Sequence, residues 1–259
     1  MNTVIIKIGG STIDARGLLS ELGKSIGMLS EDNFPMVVHG GGKDIAKQLG
    51  LLNREFTFVE GMRVTDAEMA DVVQMVLSGD VNKRIVNALL GENVPAAGFS
   101  GVDCGLFTAS KMLQKGQDIG FVGKIDKVNT AFIDLFRSAR LVPVISPVSR
   151  GTDGSVYNVN ADLAASELAM ALSADDLIFV SDVPGVMIDD EVRRQIHIDE
   201  IEGLIEAGHI TGGMIPKLRS SADAITKGVK RVHICGWTND ETLRNELTGG
   251  ETAGTVIHG

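Results

Sequence analysis

Strand-like and helix-like segments alternate along almost the whole of this chain, and that alternation restricts its fold more than any other feature. "TVIIKI", "PMVVH", "LVPVIS", "DLIFVS" and "RVHICG" are short apolar runs rich in β-branched residues, with helical stretches from about Ala15, after Gly42 and after Asn160. Crossover units on a mainly parallel sheet need this pattern, because helices cover both faces of such a sheet. The expectation is an α/β fold, a three-layer α/β/α sandwich with a mainly parallel central sheet. Between Asn93 and Asn129 the pattern changes to short β-rich pieces with glycines at 98, 101, 105, 120 and 123. These read as hairpins added to an edge of the sheet. A soft boundary near Ser173 to Asp175 divides residues 1–174 from 175–259.

Within the first part, "TDAEMADVVQMVLSG" (65–79) opens with Thr65 and carries Glu68 three positions later, a capping box that predicts a helix start there. Met69, Val72, Val73, Val76 and Leu77 then recur at helical spacing and make one side apolar. Such a stripe serves either the chain's own core or a subunit contact.

The chain has 259 residues, 44% of them hydrophobic and six of them proline, enough to bury the core of one large domain or two modest ones. Its net charge of −10 and the absence of any basic run argue against nucleic acid or an anionic membrane as a standing partner. A small acidic substrate stays open, since local lysines and arginines override a global sign. Cys104 and Cys235 are far apart and lack C-x-x-C spacing, the pattern of reduced thiols in a cytoplasmic protein. No apolar stretch approaches the roughly 18 residues of a membrane span, and the N-terminus has no signal-peptide pattern.

Chemistry concentrates at glycine and lysine clusters beside strand ends and helix starts. "VIIKIGGS" ends a buried strand with Lys7, Gly9 and Gly10; "VVHGGGKD" places Gly40, Gly41 and Gly42 between a strand and a helix. Free backbone N–H groups and the helix dipole make the latter a ready anion site. "YNVNADLAA" sets Asn158, Asn160 and Asp162 at a helix head, where such residues also cap. "ITGGMIPKL" adds two glycines and Lys217, and "EGMRVT" adds Arg63. Each cluster has a plain structural reading beside the functional one: a turn, a cap or a solvated charge. Together, in an acidic chain, they point to a site for phosphate and carboxylate. The histidines at 39, 197, 209, 233 and 258 show no metal spacing and G-x-S-x-G is absent, which disfavours metal hydrolysis and serine acyl chemistry.

In order and spacing, "KIGGS", "VVHGGG", "GMRVTDAE", "VNK", "NVNADLAA", "SDVPGV" and "ITGGMIPK" resemble the amino acid kinase superfamily, and within it the N-acetylglutamate kinases. The resemblance runs from Val4 to about Val256. It implies phosphoryl transfer from ATP, with Mg²⁺ held mainly by the phosphates, to the side-chain carboxylate of N-acetyl-L-glutamate, a step of arginine biosynthesis. Residues 1–174 would then be an acetylglutamate-binding and dimerisation lobe and residues 175–259 a nucleotide-binding lobe. By the same resemblance Lys7 and Lys217 flank the moving phosphoryl group and Asp162 orients both. Gly41, Gly42, Arg63 and Asn158 bind substrate, while Gly9, Gly10, Asp182, Val183, Gly185, Val186 and Thr211 line the nucleotide path.

The chemistry agrees with those roles. A carboxylate nucleophile with an unperturbed pKa near about 4.3 is ionised at neutral pH, so no catalytic histidine is needed. Phosphoryl transfer asks instead for positioning and positive charge. The rivals are a kinase of the same family acting on carrier-bound aminoadipate, for which more basic surface would be expected, and a non-catalytic nucleotide sensor, which the presence of both lysines disfavours. Uridylate kinase and glutamate 5-kinase fit less well. The resemblance further implies a homodimer, for which the Met69, Val72, Val76 stripe is a candidate part of the contact beside its reading as core. Because the first strand begins by Thr3, with no room for an added N-terminal helix, insensitivity to arginine is also expected.

Overall fold

The computed structural model of the chain describes residues 1–9, 16–250 and 254–259. β1 (Asn2–Ile8), α1 (Arg16–Leu29), β2 (Asn33–His39) and α2 (Gly42–Leu51) open the chain. A small hairpin, β3 (Phe58–Val59) and β4 (Met62–Arg63), leads into α3 (Ala67–Gln74), which winds through a π-helical stretch, Met75–Val81, into α4 (Asn82–Gly91). Then come β5 (Ala96–Ser100), β6 (Phe107–Gln114), β7 (Gln117–Val128), α5 (Ile133–Ala139), β8 (Val142–Ser146), β9 (Ser149–Gly151), β10 (Val156–Val159) and α6 (Ala161–Ala171). The last third holds β11 (Asp176–Ser181), the hairpin β12 (Met187–Ile188) and β13 (Glu191–Val192), β14 (Gln195–His197), α7 (Ile201–Glu206), α8 (Met214–Thr226), β15 (Arg231–Gly236), α9 (Thr242–Thr248) and β16 (Thr255–His258).

An eight-stranded sheet in the order β14-β16-β15-β11-β1-β2-β8-β5 forms the middle layer. All its pairings are parallel except β15 with β16. Successive strand side chains point to opposite faces, and the core divides accordingly. Ile5, Met36, Val38, Ile145, Leu177 and Phe179 pack on one face against Ala164, Leu168 and Leu218 of α6 and α8. Val4, Ile6, Ile8, Val37, Val144 and Ile178 pack on the other against Leu22, Ile26, Ile85 and Leu89 of α1 and α4. The chain is the expected three-layer α/β/α sandwich, and none of its helices among the described residues is long and apolar enough to cross a membrane.

Three expectations need correction. The β6–β7 hairpin does not extend an edge of the sheet; with β9 and β10 it closes a separate four-stranded barrel, and only β5 joins the sheet as its edge. The barrel has its own interior, with Phe107, Ala109, Tyr157 and Val159 buried. The α3 cap is Asp66, whose carboxylate accepts from the Met69 N–H at 2.8 Å, and Thr65 is instead drawn into the site. Met69, Val72, Val73, Val76 and Leu77 are all buried in the chain's own core, so the stripe is intramolecular packing and offers nothing to a second subunit.

Candidate functional site

β1, β2 and β11 are neighbours in the sheet, and Gly9, the Gly40–Gly42 turn and Asp182 follow their carboxyl ends. A crevice at that edge of an open parallel sheet is where α/β proteins bind ligands. Here it holds a cavity of about 570 Å³ lined among others by Gly40, Gly41, Gly42, Arg63, Asn158 and Asp182.

Lys7 is the penultimate residue of β1, on the face covered by α6 and α8. Its Nζ lies 2.8 Å from Asp162 Oδ1, with the lysine side chain 14% exposed. Asp162 is placed by its helix: Asn160 caps α6, its Oδ1 accepting from the N–H groups of Asp162 at 2.8 Å and Leu163 at 3.3 Å. The carboxylate therefore sits in the first turn of α6, where the helix dipole favours negative charge. Lys217, in the first turns of α8, reaches over the Phe179 ring, 5.5 Å from its centroid, and donates to Ser181 Oγ at 3.4 Å. Burial lowers the Lys217 pKa, Asp162 pulls it back up, and the positive charge of Lys7 lowers it again. The two lysines and the aspartate thus come together, with direct contact made between Lys7 and Asp162.

Gly41 and Gly42 open α2 with no side-chain cap, leaving the first amides of that helix to a ligand. Gly41 has φ of 158°, and a Cβ there would meet Leu77 Cδ2 at 2.6 Å, so this turn requires glycine. Arg63 is 7% exposed, and its guanidinium carbon lies 4.0 Å and 4.8 Å from the ring centroids of Phe56 and Phe58. Its Nη2 donates to the Gly42 carbonyl at 3.1 Å. Its Nη1 is buried with no hydrogen-bond partner. Desolvation lowers the guanidinium pKa without approaching neutrality near pH 7. An orphaned, desolvated donor on a cavity wall suits a carboxylate, which would accept the bond it lacks.

The remaining expected residues divide. Asn158 lines the cavity, and its Nδ2 donates to Thr65 Oγ1 at 3.3 Å. Gly9 lies at the end of β1 beside Lys7 Nζ, whereas Gly10 falls outside the described residues. Asp182 lines the cavity and Val183 is half-buried beside it. Gly185 and Val186 are buried beside Thr255: a Cβ on Gly185 would meet Val192 and Thr255, and the Val186 N–H donates to Thr255 Oγ1 at 2.8 Å. Thr211 is exposed in the loop before α8.

Sequence reasoning missed Thr65. Fully buried, its hydroxyl donates to the Arg63 carbonyl at 2.7 Å while accepting from Asn158, so one side chain joins two cavity residues from different elements. Its backbone is gripped by β7, with the Phe121 N–H donating to the Thr65 carbonyl at 2.7 Å. At Gly120, with φ of 81°, a Cβ would stand 2.1 Å from that carbonyl oxygen, so only glycine lets the barrel approach so closely. The two aromatic rings flanking Arg63 were also missed; the signal was the alternation in "FTFVEGMR", a hairpin pattern around Gly61.

The model of the amino acid kinase family matches residues 2–236. Acetylglutamate kinase from Brachyspira hyodysenteriae is 38% identical over 262 residues, covering 99% of this chain and 90% of that protein. Acetylglutamate kinase from Caldanaerobacter subterraneus subsp. tengcongensis is 40% identical over 260 residues, covering 98% and 87%. The crystal structure of smu.665 from Streptococcus mutans UA159 superposes with a TM-score of 0.82 at 28% identity, covering 99% of this chain and 98% of that one. With a family match over most of its length and relatives of this identity along nearly all of it, the chain belongs to the amino acid kinase family, among the acetylglutamate kinases.

Proposed function

We propose that this chain transfers the γ-phosphoryl group of ATP to the side-chain carboxylate of N-acetyl-L-glutamate, forming an acyl phosphate for arginine biosynthesis. The observation that carries the reading is the Lys7–Asp162 pair with Lys217 beside it, Asp162 being next in the chain to the cavity-lining Ala161, together with the orphaned Arg63 Nη1 on that cavity's wall. The carboxylate attacks phosphorus as the anion it already is, so the protein moves no proton. Lys7 and Lys217 stabilise charge on the transferring group, and the amides of Gly41 and Gly42 receive the oxygens between donor and acceptor. Asp162 keeps Lys7 aimed. Arg63 and Asn158 hold the acetylglutamate, leaving Gly9, Gly10, Asp182, Val183, Gly185, Val186 and the Thr211 loop to the nucleotide.

Among the described residues no three His, Cys, Asp or Glu side chains converge as a metal-binding group, and Asp162 is already paired with Lys7, so these donors suit Mg²⁺ arriving on the phosphates of ATP. Bound there, it would neutralise phosphate charge. Residues 1–174 serve in this reading as the acetylglutamate lobe and 175–259 as the nucleotide lobe, on one continuous sheet. The unbridged Cys104 and Cys235 suit a reducing cytoplasm. A homodimer stays part of the proposal, its contact drawn from residues other than Met69, Val72 and Val76.

The test is ADP formation and hydroxylamine trapping of the acyl phosphate with acetylglutamate, glutamate, aminoadipate and UMP in parallel. Acetylglutamate should far exceed glutamate, whose free ammonium would be buried without a partner. Equal kcat/KM for the two overturns the assignment.

A further inference from the structure

Two parts of the sequence pattern, the histidine of "VVHGGG" and the asparagine of "VNK", have no task in the mechanism above, yet both are fully buried beside the glycine turn. Asn82 Nδ2 faces three acceptors: the Val144 carbonyl at 2.9 Å, the Phe99 carbonyl at 3.3 Å and His39 Nε2 at 3.1 Å. Its Oδ1 accepts from Lys83 Nζ at 2.8 Å. Carbonyls on one side and a cation on the other fix which end of the amide is which. Asn82 therefore donates to His39 Nε2, which leaves the imidazole proton on Nδ1. Nδ1 lies 2.8 Å from the Gly40 carbonyl oxygen and donates to it.

A carbonyl held in this way determines the direction of the next amide. No peptide bond among the described residues is cis, so the Gly41 N–H points opposite to the Gly40 carbonyl, away from the imidazole. We propose that His39 and Asn82 are positioning residues for phosphoryl transfer: Asn82 selects the Nδ1–H tautomer of His39, and His39 pins the Gly40–Gly41 peptide so that the glycine-turn amides face the reacting group. The inference rests on the kinase reading. Burial lowers the His39 pKa to about 4, so the ring is a neutral donor through the physiological range. The turn needs such a brace because α2 has no side-chain cap and Gly41 and Gly42 carry no side chains to anchor it.

The test compares His39→Leu, which removes the donor, with His39→Asn, whose Nδ2 occupies about the place of imidazole Nδ1. Folding is checked by circular dichroism and by the melting temperature. Misaimed amides act in the transition state, so His39→Leu should lower kcat about 100-fold while the KM values for ATP and acetylglutamate move less than about threefold. His39→Asn should recover most of that loss. A folded His39→Leu with kcat within threefold of wild type overturns the proposal, as does an equal loss in both variants, which would assign the effect to packing. ¹⁵N-imidazole NMR on the wild-type protein, with the His39 resonance assigned from the His39→Asn spectrum, gives a reading independent of activity. The Nδ1–H tautomer is expected at pH 7, and the Nε2–H tautomer overturns the inference even if His39→Leu fails to fold. A wild-type protein that does not phosphorylate acetylglutamate sinks the kinase reading instead, and the tautomer measurement still stands.

Discussion

Lys7 Nζ lies 2.8 Å from Asp162 Oδ1, joining the first strand of the chain to the first turn of α6. Lys217, approaching from α8, feels the charge of both. Asp162 is thus the counter-ion that allows two cations to share one small volume before any phosphate arrives.

Replacing Lys217 with Ala should lower kcat by about 10²–10³ with a smaller change in KM, because the lost charge matters most in the transition state. Steady-state kinetics on the folded variant checks this. A kcat within about threefold of wild type would leave the mechanism without its second clamp.

Arg63→Ala should act on binding. The residue sits between two aromatic rings with one buried donor unpartnered, and a hydrogen bond between charged groups contributes about 1.5–3 kcal/mol. The KM for acetylglutamate should rise about 10- to 100-fold, with the KM for ATP nearly unchanged. A parallel rise for both substrates would place Arg63 outside the acetylglutamate site.

Thr65→Val keeps the shape of the side chain and removes the hydroxyl that joins Arg63 to Asn158. The carbonyl of buried Arg63 and the half-buried Asn158 amide then lose a partner, a cost of about 1–3 kcal/mol in stability. Chemical denaturation should report that loss, and the acetylglutamate KM should rise several-fold. An unchanged KM would confine Thr65 to stability.

Two buried histidines predict opposite limbs in the pH dependence of stability. Burial holds His39 near a pKa of about 4, below its unfolded value, so the unfolded chain binds the proton first. Stability from this group is present above about pH 6.5 and is lost as pH falls toward 4, by about 3 kcal/mol. His233 behaves in reverse. Burial pushes its pKa down, but the hydrogen bond to Asp176 and the nearby charges of Asp176 and Glu246 outweigh that and raise it. Its contribution is complete below about pH 6.5 and fades as pH rises through the raised value. Melting temperatures across pH should show His39→Asn flattening the acid limb and His233→Gln the alkaline limb. A His233→Gln protein with the alkaline slope of wild type would show that His233 is not the group titrating there.

The sequence alone determined the layers and the strand ends. A short β-branched run has few ways to be buried, and a glycine pair at its end leaves backbone amides exposed whatever the rest of the chain does. That is why Lys7, Gly41, Gly42, Asp162 and Lys217 were legible as candidates before any coordinates. Only the tertiary structure decided which side chains meet. Thr65 satisfies a local capping rule, yet Asp66 takes the cap and Thr65 bonds to Arg63 and Asn158, because β7 draws its backbone into the barrel. The stripe at Met69, Val72 and Val76 has the same periodicity whether it faces a partner or the chain's own sheet, and only packing chose the sheet. His39 and Asn82 lie on β2 and α4, too far apart along the chain for any local rule to pair them. Local sequence sets backbone conformation through steric preference, but the partner of a buried polar group is set by the crossing of distant elements.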